Sequence, residues 1–212
     1  SNLGLGTGAV DSITTGDYSV GVGDGALTAN TTGTSNTASG YQALYANTTG
    51  AYNTAVGFQS LDANTTGAQN TSIGGSVLTS NTTGANNVGL GFAALAGTTT
   101  ASFNTALGHS ALRNTTTGNY NTASGYQALN ANTTGAENTA NGYGSLYFNT
   151  TGNYNTAFGR SALQDATTAS NNTALGYAAG DNITTGSSNI IIGASVDAPS
   201  ATASNQLNIG NT

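Results

Sequence analysis

Along this chain, large apolar residues return at fixed places, and the spacing between them changes character within each unit. The unit is clearest in residues 36–52, NTASGYQALYANTTGAY, and its slots are numbered here from the Asn. Slots two to five alternate as a strand does: Thr54-Ala55-Val56-Gly57, Thr105-Ala106-Leu107-Gly108, Ile190-Ile191-Ile192-Gly193. Successive side chains of a strand point to opposite faces, so slots two and four share one face and slots three and five the other. Slot four is mostly large and apolar: Leu5, Val22, Val56, Ile73, Leu90, Leu107, Phe158, Leu175, Ile192 and Ile209. Slot three is small in most copies, as at Ala38, Ala55, Ser72, Gly89 and Ala106. From that contrast, slot four is expected to fill the interior, and the small face is expected to admit another chain at close range. A second apolar step follows at slots eight and nine (Ala43-Leu44, Ala111-Leu112, Ala128-Leu129, Ala162-Leu163). Asn-Thr-Thr-Gly comes next, as at Asn47-Thr48-Thr49-Gly50, and predicts a turn.

The unit repeats every 17 residues without insertion or deletion. Slot five is Gly in all 13 registers: Gly6, Gly23, Gly40, Gly57, Gly74, Gly91, Gly108, Gly125, Gly142, Gly159, Gly176, Gly193 and Gly210. A strict period near 20 residues is the signature of a solenoid in which each repeat is one coil. The predicted fold class is all-β, a parallel β-solenoid of 17-residue coils. Residues 1–188 form the regular array. Residues 189–212 form divergent terminal repeats, in which Asp197-Ala198-Pro199-Ser200 replaces the turn, leading toward a further C-terminal region. The Gly column implies positive φ, or a backbone contact that tolerates no Cβ. Asn fills slot one in nearly every copy, where stacked amides can hydrogen-bond along the axis. Each coil offers about two large apolar side chains against a long backbone to order, which is thin for a lone chain. A homotrimer is therefore expected, with an end-to-end filament as the alternative.

Composition narrows the functions. Only 5% of residues are charged, there is no lysine, and Arg113 and Arg160 are the only cationic side chains if His is neutral. No basic surface exists for nucleic acid or anionic lipid. A single proline and a dense supply of Thr, Val, Ile and Tyr favour ordered strands over disorder. Without cysteine, disulfides and thiolate metal sites are impossible. No apolar run is long enough to span a bilayer as a helix, so membrane insertion is not expected. The Lys-free, Asn/Thr/Gly-rich surface suits an extracellular, cell-surface or virion setting.

Candidate chemistry is sparse, and neither an enzyme nor a cofactor is expected. His109, the only histidine, takes slot six, where other copies carry Tyr41, Phe58, Phe92, Tyr126, Tyr143 and Tyr177. It is a substitution in an aromatic column, and no acid occupies a matching slot nearby to complete a triad. The eight acids (Asp11, Asp17, Asp24, Asp62, Glu137, Asp165, Asp181, Asp197) sit in scattered slots and predict no ladder. A calcium site between Asp17 and Asp24 is the alternative to solvated turns, and the turns are preferred; no metal site is expected. GxG strings such as Gly4-Leu5-Gly6 precede no helix pattern and are not phosphate loops. Aromatics at slot six, and at slot seventeen (Tyr18, Tyr52, Phe103, Tyr120, Tyr154), could stack on sugar rings of a cell-surface glycan, although packing between coils is the simpler account. A Thr ladder (Thr48, Thr49, Thr65, Thr66, Thr82, Thr83, Thr133, Thr134) raises ice binding, but adjacent Thr residues point to opposite sides of a strand. Asn-x-Thr/Ser sequons at Asn30, Asn47, Asn64, Asn81, Asn114, Asn132, Asn149 and Asn182 follow almost automatically from the repeat.

The unit NTAVGFQSLDANTTGAY resembles the head repeat of trimeric autotransporter adhesins through Asn53, Thr54, Ala55, Val56, Gly57, Ala63 and Gly67. It is a few residues longer than that repeat, and Leu61 with Asn64-Thr65-Thr66 is not typical of it. A closer likeness is to the NTAxGYxAL repeat arrays of phage and bacterial surface-fibre proteins. Those arrays often precede an intramolecular-chaperone domain of endosialidase type. The stretch from Ser188 through Ile192-Gly193 to Leu207, Ile209, Gly210 and Asn211 looks like the end of such an array. The resemblance implies a structural shaft or adhesin repeat region of a tail-fibre-like fibre that projects an attachment function. An ice- or polysaccharide-binding solenoid and a filament subunit are the alternatives.

Overall fold

The computed structural model describes residues 1–210; Asn211 and Thr212, the end of the expected terminal stretch, lie outside them. The chain folds as two compact units, Ser1–Asn104 and Thr105–Thr212. The first carries β1 (Leu3–Leu5), β2 (Val20–Val22), β3 (Thr37–Ser39), β4 (Thr54–Val56), β5 (Thr71–Ile73) and β6 (Val88–Leu90). The second carries β7 (Thr105–Leu107), β8 (Thr122–Ser124), β9 (Thr139–Asn141), β10 (Thr156–Phe158), β11 (Thr173–Leu175), β12 (Ile190–Ile192) and β13 (Leu207–Ile209). Each strand occupies slots two to four and, within its own unit, pairs in parallel with the same slots of the neighbouring coil. Thr37 lies opposite Thr54 in the first unit, and Thr122 opposite Thr139 in the second. Each unit is an all-β parallel solenoid, with no helix among the described residues. The divergent stretch continues the same register, Thr173 opposite Ile190 and Ile190 opposite Leu207.

Short strands leave most of the coil to turns, and these are built from left-handed residues. Slots seven, nine and seventeen adopt positive φ, for example Gln59 (48°), Leu61 (56°) and Tyr52 (59°). Left-handed backbone costs an L-residue about 1–2 kcal/mol. The hydrogen bonds show why it persists, since each such N–H reaches a neighbouring coil. Gln59 donates to the Tyr41 carbonyl (2.9 Å), Leu44 to the Ser60 carbonyl (3.0 Å) and Tyr52 to the Thr34 carbonyl (3.0 Å).

The interior corrects the expectation about slot four. Buried completely are slots three, eight and nine, as Ala38, Ala43 and Leu44 in the first unit and Ala123, Ala128 and Leu129 in the second. Slot four points outward, leaving Val56 37%, Leu90 46% and Phe158 51% exposed. The small face of slot three is therefore the inner wall and is closed to another chain. The physical reason is volume. A fully buried Leu at slot nine already fills the narrow lumen, so the facing slot three admits little more than a methyl group. Exceptions to the pattern compensate one another. Gly89 replaces Ala where Val77 replaces the usual Ala, and a Cβ on Gly89 would stand 2.5 Å from a Val77 methyl. Where Gly180 replaces the slot-nine Leu, Ile191 and Ile183 move into the vacated space, 3.2 and 3.4 Å from where its Cβ would be.

Two buried Asn columns complete the interior. At slot one, the Asn53 N–H donates to Asn36 Oδ1 (3.0 Å) while its Nδ2 donates to the Gly67 carbonyl (2.8 Å). Slots twelve form a second ladder, Asn47 Nδ2 to Asn30 Oδ1 and Asn64 Nδ2 to Asn47 Oδ1, both 2.7 Å. Buried amides require such partners. The rule fails where the ladder is interrupted. Asn81 is followed by Thr98 and Asn149 by Ala166 at slot twelve, and Oδ1 of both Asn81 and Asn149 is left with no donor.

Candidate functional site

The residues singled out in the sequence fall into columns with different fates. Slot-five glycines have φ between 106° and 140°. A Cβ at Gly125 or Gly142 would stand 2.5 Å from the carbonyl oxygen of the next glycine in the column. The same holds along the column at Gly40, Gly57, Gly108, Gly159 and Gly176, each against the glycine one coil on. Gly74 is looser against Gly91, at 2.9 Å. These positions join two constraints, a left-handed φ and a close approach of backbone.

The Thr pair splits. Slot-thirteen hydroxyls are spent inside the solenoid: Thr48, Thr65, Thr82 and Thr133 Oγ1 each donate to the slot-thirteen carbonyl of the next coil at 3.0–3.1 Å. The same carbonyl collects backbone donors as well. Thr65 O receives the N–H groups of Thr48, Thr49 and Gly50 at 2.9, 3.1 and 3.3 Å. Only slot fourteen (Thr49, Thr66, Thr83, Thr134) is exposed, so one hydroxyl column faces solvent rather than two.

At slot six the rings stack on one another. Tyr41 and Phe58 lie 5.5 Å apart with planes 13° off parallel. His109 stacks on Tyr126 (5.2 Å) and Tyr126 on Tyr143 (5.1 Å). Arg160 takes the same slot between Tyr143 and Tyr177, with its guanidinium 5.4 and 5.7 Å from the two ring centres. Phe92 lies beyond Gly75, whose missing Cβ would touch its ring at 3.4 Å. A sugar needs an open ring face, whereas this column turns faces toward neighbours and presents edges to solvent. The slot-seventeen aromatics Tyr18, Tyr52, Phe103, Tyr120 and Tyr154 are exposed but interrupted by Ser35, Gln69, Asn86 and Glu137.

Most sequons are closed. Asn30, Asn47, Asn64, Asn81, Asn132 and Asn149 are fully buried in the slot-twelve column. Asn182 is half-buried and donates to the Ala198 carbonyl (2.9 Å), while Asn114 is exposed.

Acids that occupy different slots nevertheless meet, because the divergent turn shifts side-chain pairing by one residue, so that Asn182 Nδ2 donates to the carbonyl of Ala198, 16 residues on. Asp181 shares a hydrogen bond with Asp197, and its carboxyl is raised above the ordinary value by burial first, then by Asp197 and by the charges of Asp197 and Asp165. Burial likewise raises Asp62, whose Oδ1 has no donor. Asp17 pairs with the Ser1 amino group (2.8 Å) and Asp24 accepts the Thr7 N–H (3.0 Å), so each finds its own protein donor. Among the described residues, no group of three or more His, Cys, Asp or Glu is placed to hold a metal ion, and no helix is long and apolar enough to cross a membrane.

What sequence reasoning missed is the outward apolar face. Slots two and four give Leu3, Leu5, Val22, Val56, Ile73, Val88 and Leu90 in the first unit and Leu107, Phe158, Leu175, Ile190, Leu207 and Ile209 in the second, all exposed. Comparison of the chain with protein-family models, with curated proteins and with solved structures found no match.

Proposed function

We propose that this chain is a structural repeat segment of an extracellular or virion fibre, assembled from parallel copies in register and projecting an attachment function. The outward apolar face carries the reading. Exposed apolar surface of this kind marks an interaction site, and every coil except those of Thr37–Ser39, Thr122–Ser124 and Thr139–Asn141 contributes at slot two, slot four or both. The occupant is a second copy of the chain, because only a surface of the same 17-residue period meets every one of these side chains. Polar interruptions at Ser39, Ser124 and Asn141 strengthen the argument for register. With copies at the same height, each polar position meets its own equivalent, and any shift by one coil sets Asn141 against Phe158 or Ser124 against Leu107. With one Leu per coil as the main buried aliphatic, burial between copies adds what the lumen lacks. Three chains close such a face into a ring without leaving a free edge of apolar surface.

Light scattering across a dilution series tests this. The expected result is a stable mass of three chains, falling to one chain in the Val56→Asp/Leu175→Asp variant with its circular dichroism unchanged. A wild-type monomer would overturn the reading. A mass that climbs with concentration would replace the closed trimer with an end-to-end filament.

A further inference from the structure

In the second unit slot seven lacks a side chain at Gly144, and a groove opens there. This column carries Gln at Gln42, Gln59 and Gln127 and a Ser, Ala or Gly in the other coils, and where two Gln follow one another they pair, Gln59 Nε2 donating to Gln42 Oε1 (3.0 Å). At Gly144 the side chain is missing, and a Cβ there would find nothing nearer than Gln164 Oε1 at 4.0 Å. Gly144 is itself buried and lies among Gln127, Tyr143, Tyr147, Phe148 and Gln164, around a groove of about 200 Å³.

We propose that this groove binds a neutral hexopyranose ring, the unit of a glycan chain. Three properties of the lining select that chemistry. No lining residue is charged, which disfavours anionic and cationic ligands. Among the described residues, the side-chain amides of Gln127 and Gln164 make no hydrogen bond, unlike the paired Gln42 and Gln59. An amide both donates and accepts, which matches adjacent sugar hydroxyls that do the same. Finally, Tyr147 and Phe148 pack edge to face, with centres 4.6 Å apart and planes at 83°. An edge-to-face pair covers one face of one ring, so the pair itself leaves aromatic face uncommitted, in contrast to the stacked slot-six column. The electron-rich face of an aromatic ring attracts the weakly positive C–H side of a pyranose. The groove is smaller than the roughly 300–1,000 Å³ of sites for drug-sized ligands, which suits one ring.

The fold supplies a clean test variant. Gly144 has φ 61°, and Gln42, Gln59 and Gln127 occupy the same slot at 53°, 48° and 55°, so Gly144→Gln asks for no new backbone conformation. The new side chain would pair with Gln127 and fill the groove. Saturation-transfer NMR with glucose, galactose, N-acetylglucosamine and their β-linked trimers should show transfer to at least one probe in the wild type. Transfer should fall at least tenfold in Gly144→Gln and in Gln127→Ala/Gln164→Ala, with the mass of each variant equal to that of the wild type. No transfer to any probe, undiminished transfer in Gly144→Gln, or an equal response to cyclohexanol would overturn the proposal. None of these outcomes depends on the number of chains in the assembly, so the fibre reading stands or falls separately.

Discussion

Gly50 and Asn47 lie three residues apart, and the structure makes them one unit. Gly50 lies outside the positive-φ region, so Gly50→Ala meets no dihedral strain. Its new methyl would meet Asn47 Oδ1 at 2.5 Å, and also the Gly67 carbonyl. The carbonyl contact can be relieved, because alanine occupies this slot natively at Ala101, Ala169 and Ala203. In those coils slot twelve is Thr98, Ala166 or Ser200, never Asn. Asn47 cannot step aside without loss, since its Nδ2 donates to Asn30 Oδ1 and the Gly50 carbonyl, and its Oδ1 accepts from Asn64. Three buried hydrogen bonds at about 1 kcal/mol each put the cost near 3 kcal/mol. The loss of unfolded-chain freedom on replacing Gly returns about 0.4–1 kcal/mol. Gly50→Ala should therefore destabilise by about 2–3 kcal/mol. In an Asn47→Ala background, the same change should be neutral or slightly stabilising, a coupling of about 2–3 kcal/mol. Guanidinium unfolding of the four proteins in the cycle measures it, with hydrogen exchange at the Thr48 and Thr65 amides as a local readout, since repeat arrays open piecewise. An equal cost in both backgrounds would refute the reasoning. So would a cost no greater than that of Gly118→Ala, whose slot-twelve partner is Thr115.

Two further perturbations follow from the columns. Gly125→Val places a β-branched residue at φ 139° with its Cβ 2.5 Å from the Gly142 carbonyl, and should cost at least about 3 kcal/mol and disrupt coil stacking, whereas His109→Ala loses one ring stack on Tyr126 worth about 0.5–1.5 kcal/mol; comparable unfolding midpoints for the two would refute the contrast. Asp181 and Asp62 have folded pKa values raised above the ordinary 3.8, so the folded state holds more protons than the unfolded one, and their contribution to stability falls as pH rises from that value through the raised ones. Asp181→Asn should then stabilise the protein at neutral pH and flatten the mildly acidic slope, and an unchanged profile would sink the assignment.

The repeat length, the parallel stack and the place of the strands are all legible in the sequence, because a glycine column without insertions admits only equal coils. The inside and the outside are not legible from alternation. Period two says that Ala55 and Val56 face opposite ways, but it is silent on which face is enclosed. Hydrophobicity points to Val56, and volume decides for Ala55, since Leu61 already occupies the lumen. A signal for this was present in the irregular coils. Gly89 after Val77, and Ile183 with Ile191 around Gly180, are exchanges of volume between slots three, eight, nine and twelve, and residues trade volume only where they share an interior. No such trade involves slot four, which runs from Ser39 to Phe158 without any answering change in the columns facing the lumen. Likewise, Asn at slot twelve occurs only with Gly at slot fifteen, and that pairing carries the ladder geometry in plain residue types. The Gly144 groove lay beyond this kind of reading. It depends on which side chains of neighbouring coils converge on a missing one, and Tyr147, Phe148 and Gln164 come together there only once the coils are stacked.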